Sequence, residues 1–338
     1  MVIPNHDFLA LTLLYPEKLT PFEFSFAGGR AFIEETGVLR LEPECSSSIS
    51  LVLSVGIHGN ETGPIELVNG LVADILEGRL SLGIRLLVLI GNPVAANLGE
   101  RFCEVNLNRL FRGAWQNHEG FESLRAQCLE KAVSDFFEPV PEGSAHTRLH
   151  YDLHTAIRGS AYEMFAVYPY VEEAVYNQEQ LAFLAASGIN AVLLSHQATT
   201  TFSYYSYLVH GAHAFTIELG KVYSFGNNDL ARFSALKTSL VSLLEEGQFA
   251  ATVVSQMQIF KVVDALIKDH ENYELNIASD VKNFTQFTQN YLLTHSAKSD
   301  YRIAQTGDAI VFPNVEVPIG QRAGLVVRPV SIADLQLN

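Results

Sequence analysis

The sequence predicts an α/β fold: a three-layer sandwich over residues 1–252, followed by a small β-rich domain over 253–338. Three observations carry this reading. Strand and helix signals alternate from residue 45 to about 250. The runs Leu51–Val55 and Leu86–Ile90 are apolar, as strands buried on both faces must be. Beyond residue 252 the texture changes, and Gly307-Asp308, Phe312-Pro313-Asn314 and Ile319-Gly320 punctuate short β-rich runs such as Ala309–Val311 and Gly324–Val327.

In chain order, the first 45 residues read as a strand hairpin attached to the main sheet. After Leu51–Val55, the spacing of Ile65, Leu67, Val68, Leu71, Ile75 and Leu76 predicts a helix, with Pro64 suited to its first turn. Leu86–Ile90 ends at the breaker Gly91-Asn92-Pro93. An amphipathic helix follows over 121–137, with Leu124, Cys128, Leu129, Ala132, Val133 and Phe136 at helical spacing. Then come a strand into His154, a helix over 178–186, a strand over 190–194, a strand into Glu218 and a long helix from Asn228 to about Glu246.

The chain has 338 residues and a formal net charge of -15. A field of that sign repels nucleic acid and anionic membranes, so neither is an expected partner. An anionic small substrate needs a local Arg or Lys cluster to bind. The 3 Cys, with no CxxC pair, fit a reducing compartment. Cys103 lies near candidate site residues but has no neighbouring base, and is expected to be a buried, inert thiol. No Lys or Arg precedes the run Leu9–Leu14, which makes a poor secretory signal, and no stretch approaches the roughly 20 apolar residues that span a bilayer. The expectation is a cytoplasmic protein, with a homo-oligomer left open.

Chemistry concentrates at three strand ends. His58 and Glu61 follow the first buried strand in the run Gly56-Ile57-His58-Gly59-Asn60-Glu61. His154 and Glu218 follow two others. Open α/β sheets bind ligands beyond the carboxyl ends of their strands. Two imidazoles and one carboxylate suit a catalytic zinc site with an open position, so His58, Glu61 and His154 are the candidate ligands for one Zn2+ per chain. Glu218 is the candidate general base, able to take a proton from activated water and pass it to a leaving nitrogen. Gly220 follows it closely and leaves room for substrate; Glu163 is the fallback. Strand alternation puts Asp152 on the His154 face, where it can orient its neighbours.

The segment Arg101–Phe111 packs two Arg and two Asn into a loop. Asn108 and Arg109 form a candidate clamp for a substrate carboxylate, and Arg101 a candidate contact on the scissile carbonyl. Arg158 is a candidate for a second carboxylate. Lys221 and Arg112 read as solvated, and His118, His146, His196, His210 and His213 as packing or surface residues.

Four segments together, Gly56–Thr62, Asn108–Phe111, Asp152–Ser160 and Thr216–Lys221, resemble the succinylglutamate desuccinylase/aspartoacylase family. The resemblance implies a mixed-sheet, zinc-carboxypeptidase-like catalytic domain, with His58, Glu61 and His154 on zinc and Glu218 as base. It also implies substrate-carboxylate contacts from Asn108 and Arg109 and a carbonyl contact from Arg101. The implied reaction is hydrolysis of N-succinyl-L-glutamate to succinate and L-glutamate, the last step of the succinyltransferase route of arginine breakdown. The Asp-Leu-His-Thr-Ala-Ile-Arg-Gly-Ser run favours the desuccinylase side of the family. Members often carry Asp two residues before the Asn-Arg pair; here that residue is Asn106. The alternatives are deacylation of another N-acyl amino acid such as N-acetylaspartate, or non-catalytic binding of zinc or an acidic metabolite.

Overall fold

A computed structural model describes residues 2–138, 146–250, 252–296 and 300–338. A 13-stranded mixed sheet runs through the molecule. Its centre is four parallel strands in the order Arg85–Ile90, Ile49–Val55, Thr147–Ala156 and His213–Lys221. These are the β-branched and leucine-rich runs, and most of their residues are buried, as a sheet covered on both faces requires.

Alternation along the strands divides the core in two. Leu51, Leu53, Tyr151, Leu153, Phe215 and Ile217 pack with the helices Thr62–Leu76, Gln178–Ala186 and Ser234–Glu246. Val52, Leu87 and Leu89 face the other way, against Phe121–Phe137 and Phe202–His210. Each fully buried side chain of this size contributes about 1.5–3 kcal/mol relative to exposure. The expected three layers are therefore present.

The N-terminal region holds more than a hairpin. A helix, Phe8–Leu14, is capped by Asp7 accepting from the Ala10 N–H at 2.9 Å. Three antiparallel strands follow, Phe22–Phe26, Gly29–Glu35 and Val38–Pro43, and the last pairs with Arg85–Ile90. Two further elements lack an expectation: the strand Met164–Tyr168, antiparallel to His213–Lys221, and the helix Phe202–His210. The long helix after Asn228 begins as a 3-10 turn, Leu230–Phe233, before Ser234–Glu246. Leu124 departs from the expected stripe and is 70% exposed. The buried face of its helix is turned instead toward Glu122 and Arg125, which bond loop and strand-end backbone.

The sheet continues past residue 252. Gln258–Ile267 pairs in parallel with Ala191–Leu194, and Arg322–Val330, Ala309–Val311 and Thr285–Gln286 extend it. Phe165 and Leu193 share a core with Phe260, Phe284, Val311 and Leu325. Among the described residues no helix is long and apolar enough to cross a membrane.

Candidate metal centre

His58 lies in the short loop between Ile49–Val55 and Thr62–Leu76. Gly59 lets that loop press onto the helix Pro93–Leu98: a Cβ there would lie 2.2 Å from the Ala96 nitrogen. Glu61 occupies the N-cap position of Thr62–Leu76 but makes no side-chain cap. Its carboxylate turns inward instead, at a helix end that favours negative charge.

The three expected ligands converge. His58 Nδ1 approaches Glu61 Oε1 at 2.8 Å, and His154 Nδ1 approaches Oε2 at 2.9 Å. One donor atom from each residue falls within a group spanning at most 4.8 Å, and all three side chains are buried. The far ring nitrogens are held from behind. His58 Nε2 meets Asn106 Oδ1 at 3.0 Å, and His154 Nε2 meets Asp152 Oδ2 at 2.9 Å. Asn106 Oδ1 also accepts the Asn108 N–H at 3.0 Å, which fixes it as the oxygen. With each Nε2 donating backward, each Nδ1 is directed at the common point. Two imidazole nitrogens and a carboxylate oxygen, oriented this way, fit a tetrahedral divalent metal with one position open.

Behind Asp152 runs a buried polar chain. Ser54 donates to Asp152 Oδ1 at 2.5 Å and meets His150 Nε2 at 2.7 Å, and His150 Nδ1 meets Ser206 Oγ at 2.7 Å. Ser54 and His150 play no part in the sequence reading. Their signal was available: polar residues inside apolar strands, with His150 two positions before Asp152 on the same face.

The charges are interlocked. Burial works to raise the Glu61 carboxyl, but His58 and His154 overcome it and hold the group well below its ordinary value. Burial likewise works against a charged His154, yet Asp152 and Glu61 hold its imidazole well above the ordinary range. Glu218 goes the other way: burial, then the Glu61 charge, push it up to about 7, against the pull of His154 and Arg101. Its Oε2 is buried without a hydrogen-bond partner among the described residues, and its register partner is His154. The register slips between Glu218 and Lys221, and Gly220 takes φ +92° in that irregularity, a backbone conformation that favours glycine. Glu163 is half-exposed and ion-paired with Arg232.

Arg101 donates to Glu61 Oε1 at 2.7 Å, so it borders the same group. Asn108 is buried and accepts from the Phe202 N–H at 2.9 Å. Arg109 keeps contact with solvent, yet dense surrounding protein dominates its electrostatics: burial, then Arg322 and Arg101, push it down to about 10. Arg158 is exposed and donates to the Ser279 carbonyl in the C-terminal region. Arg112 is exposed but not free, since it donates to the Thr199 carbonyl at 2.9 Å. Cys103 corrects an expectation. It is exposed rather than buried, and slight burial and Glu122 raise its thiol pKa, which disfavours the thiolate.

Parallel strands delivering a His–Glu–His group beside a buried carboxylate, within this mixed sheet, define the zinc-carboxypeptidase-like class of α/β proteins. Residues 47–244 match the succinylglutamate desuccinylase/aspartoacylase catalytic domain, and 255–330 match the AstE/AspA barrel-sandwich hybrid domain. The chain belongs to the succinylglutamate desuccinylase/aspartoacylase family. It is 44% identical to succinylglutamate desuccinylase of Shewanella amazonensis over 96% of this chain and 95% of that one. The solved structure of succinylglutamate desuccinylase from Chromobacterium violaceum superposes with a TM-score of 0.87 at 39% identity, covering 97% of this chain and 98% of the other. That from Vibrio parahaemolyticus gives 0.88 at 35% identity, covering 96% and 95%.

Proposed function

We propose that this protein hydrolyses the amide bond of N-succinyl-L-glutamate to succinate and L-glutamate, with one zinc ion held by His58, Glu61 and His154. The observation that carries the reading is Glu218: a buried carboxylate with an unpartnered oxygen, raised to about 7, beside the His–Glu–His group. A zinc ion at that group supplies a Lewis acid that acidifies water and polarises a carbonyl.

Glu218 takes a proton from the attacking water as its oxygen adds to the amide carbon. The C–N bond then breaks, and Glu218 returns the proton to the leaving nitrogen. Burial raises its carboxyl, which helps the group hold the proton between the two transfers. Arg101 faces the carbonyl oxygen as charge develops there. Asn108 and Arg109 clamp a substrate carboxylate, and Arg158 is assigned a further one. Asp152 and Asn106 keep the two imidazoles aimed. Residues 1–252 form the catalytic unit and 253–338 the second domain, and the site of action is the cytoplasm.

The test is kinetic. Chelator-stripped protein should lose hydrolysis of N-succinyl-L-glutamate and regain it with zinc, and kcat/KM on the succinyl substrate should exceed that on N-acetyl-L-aspartate. Activity indifferent to chelation removes the metal assignment; preference for the acetyl substrate removes the acyl assignment.

A further inference from the structure

Two guanidinium groups near the site lack an acidic partner among the described residues. Arg109 spends one N–H on the Asn108 carbonyl at 2.9 Å and forms no ion pair. The side chain of Arg322, half-buried, has neither a hydrogen bond nor an ion pair among the described residues. Two other arginines are paired with acids. Arg101 pairs with Glu61, and Arg328, on the same strand as Arg322, binds Asp308 through two bonds of 2.7 and 2.8 Å.

Arg322 begins the strand Arg322–Val330, where it is the register partner of Ile267, so it comes from the C-terminal region. Its charge acts on Arg109 and also on His196. The loop after Ala191–Leu194, which carries His196, is tied to the Asn108 segment by three bonds. Phe111 N–H reaches the Thr200 carbonyl at 3.2 Å, Phe202 N–H reaches Asn108 Oδ1 at 2.9 Å, and Arg112 reaches the Thr199 carbonyl at 2.9 Å. Register carries Arg322, opposite Ile267, beyond the carboxyl end of Ala191–Leu194, the end from which the His196 loop leaves towards the Asn108 segment. Burial lowers the pKa of Arg322, as a half-buried cation requires.

Two cations that repel each other, one half-buried and one in contact with solvent, neither with an acidic partner among the described residues of a chain of net charge -15, favour an anion from outside. Of the two halves of an N-succinyl-glutamate, the glutamyl half carries two free carboxylates a few bonds apart, and the succinyl half carries one. We propose that Arg109 and Arg322 form one subsite for that dicarboxylate, with Arg322 taking the side-chain carboxylate and setting selectivity for glutamate. This deepens the functional reading above and rests on it for the choice of substrate. Arg322 is a substrate-binding residue here, with no part in bond breaking.

The experiment compares wild type, Arg322→Gln and Arg322→Lys on N-succinyl-L-glutamate and N-succinyl-L-glutamine, which differ only in the side-chain carboxylate. The ratio of kcat/KM values should fall about 100-fold in Arg322→Gln, the range expected for truncating one partner of an enclosed charge pair. Arg322→Lys should restore much of it, because the charge returns without the planar fork. An unchanged ratio in Arg322→Gln, or an equal loss on both substrates, overturns the proposal. So does a loss confined to discrimination between succinyl and acetyl donors.

Calorimetric titration of the zinc-loaded proteins with L-glutamate separates this proposal from the functional reading. Weaker glutamate binding in Arg322→Gln than in wild type supports the subsite even if neither amide is hydrolysed, in which case only the proposed reaction falls. Equal binding by both proteins, or none by wild type at millimolar ligand, overturns the subsite itself.

Discussion

His154 and Glu218 are register partners on adjacent parallel strands, so an imidazole of the candidate metal group and the proposed proton carrier leave the sheet side by side on one face. Asp152, two residues before His154, shares that face and holds the imidazole from behind at 2.9 Å. Pleat and register alone place ligand, orienting group and base within one small volume.

Glu218→Gln keeps the shape of the side chain and removes its ability to carry a proton. Turnover of N-succinyl-L-glutamate should fall about 10²–10⁴-fold. Zinc content by elemental analysis should stay at one per chain, because Gln at this position leaves the His–Glu–His group intact. Turnover near wild type would transfer the role to another group.

The same residue gives a pH signature in metal-free protein. Burial, then Glu61, raise its carboxyl from 4.5 to about 7. Between those values the folded state keeps a proton that the unfolded chain releases. The associated stability is full below the unfolded value and is lost as pH rises through about 7. Chelator-treated Glu218→Gln should therefore exceed wild type in urea stability at pH 8, by up to about 3 kcal/mol. The gap should shrink towards pH 5. A constant gap across this range would show that Glu218 is already charged in the fold.

Asn106→Ala frees His58 Nε2, and Asp152→Asn weakens the hold on His154 Nε2. Each should cost about 10–100-fold in zinc affinity, read by competition with a chromophoric chelator. Asn106→Asp keeps an acceptor oxygen facing His58 and should bind zinc at least as well as wild type. Equal affinity in all three variants would mean that the imidazoles are held by packing.

Two glycines in neighbouring segments should behave oppositely. Gly59→Ala forces a methyl to 2.2 Å from the Ala96 backbone and should cost about 3 kcal/mol. Gly70, inside the helix Thr62–Leu76, has nothing within 4 Å of the point an added methyl would occupy, and Gly70→Ala should stabilise by about 0.5–1 kcal/mol. Denaturant midpoints decide both, and a stable Gly59→Ala would show that the His58 loop moves freely.

Elements whose burial matches their own pattern were legible. The strands at Leu51 and Leu86 and the helix Gln178–Ala186 follow from apolar runs and spacing. Met164–Tyr168 and Phe202–His210 were not. The first is five residues long, and the second is rich in Tyr and Ser, which favour other conformations in isolation. Packing decides both: Phe165 is fully buried in the sheet, and Phe202 stacks on Phe111 with ring centres 4.2 Å apart. Leu124 shows the converse error, since spacing alone does not say which way a helix is turned when Glu122 and Arg125 carry buried bonds.

By itself the sequence picked out side chains that converge, because His58 and Glu61 are local neighbours and His154 and Glu218 each end an apolar run. The tertiary structure decided what surrounds them: Asn106 behind one imidazole, the Ser54–His150 chain behind Asp152, and an Arg322 charge from the far end of the chain that acts on Arg109. Ligand identity is written in residue type and spacing. Orientation, burial and the charge each group feels depend on contacts between segments distant in sequence, and those exist only once the sheet has formed.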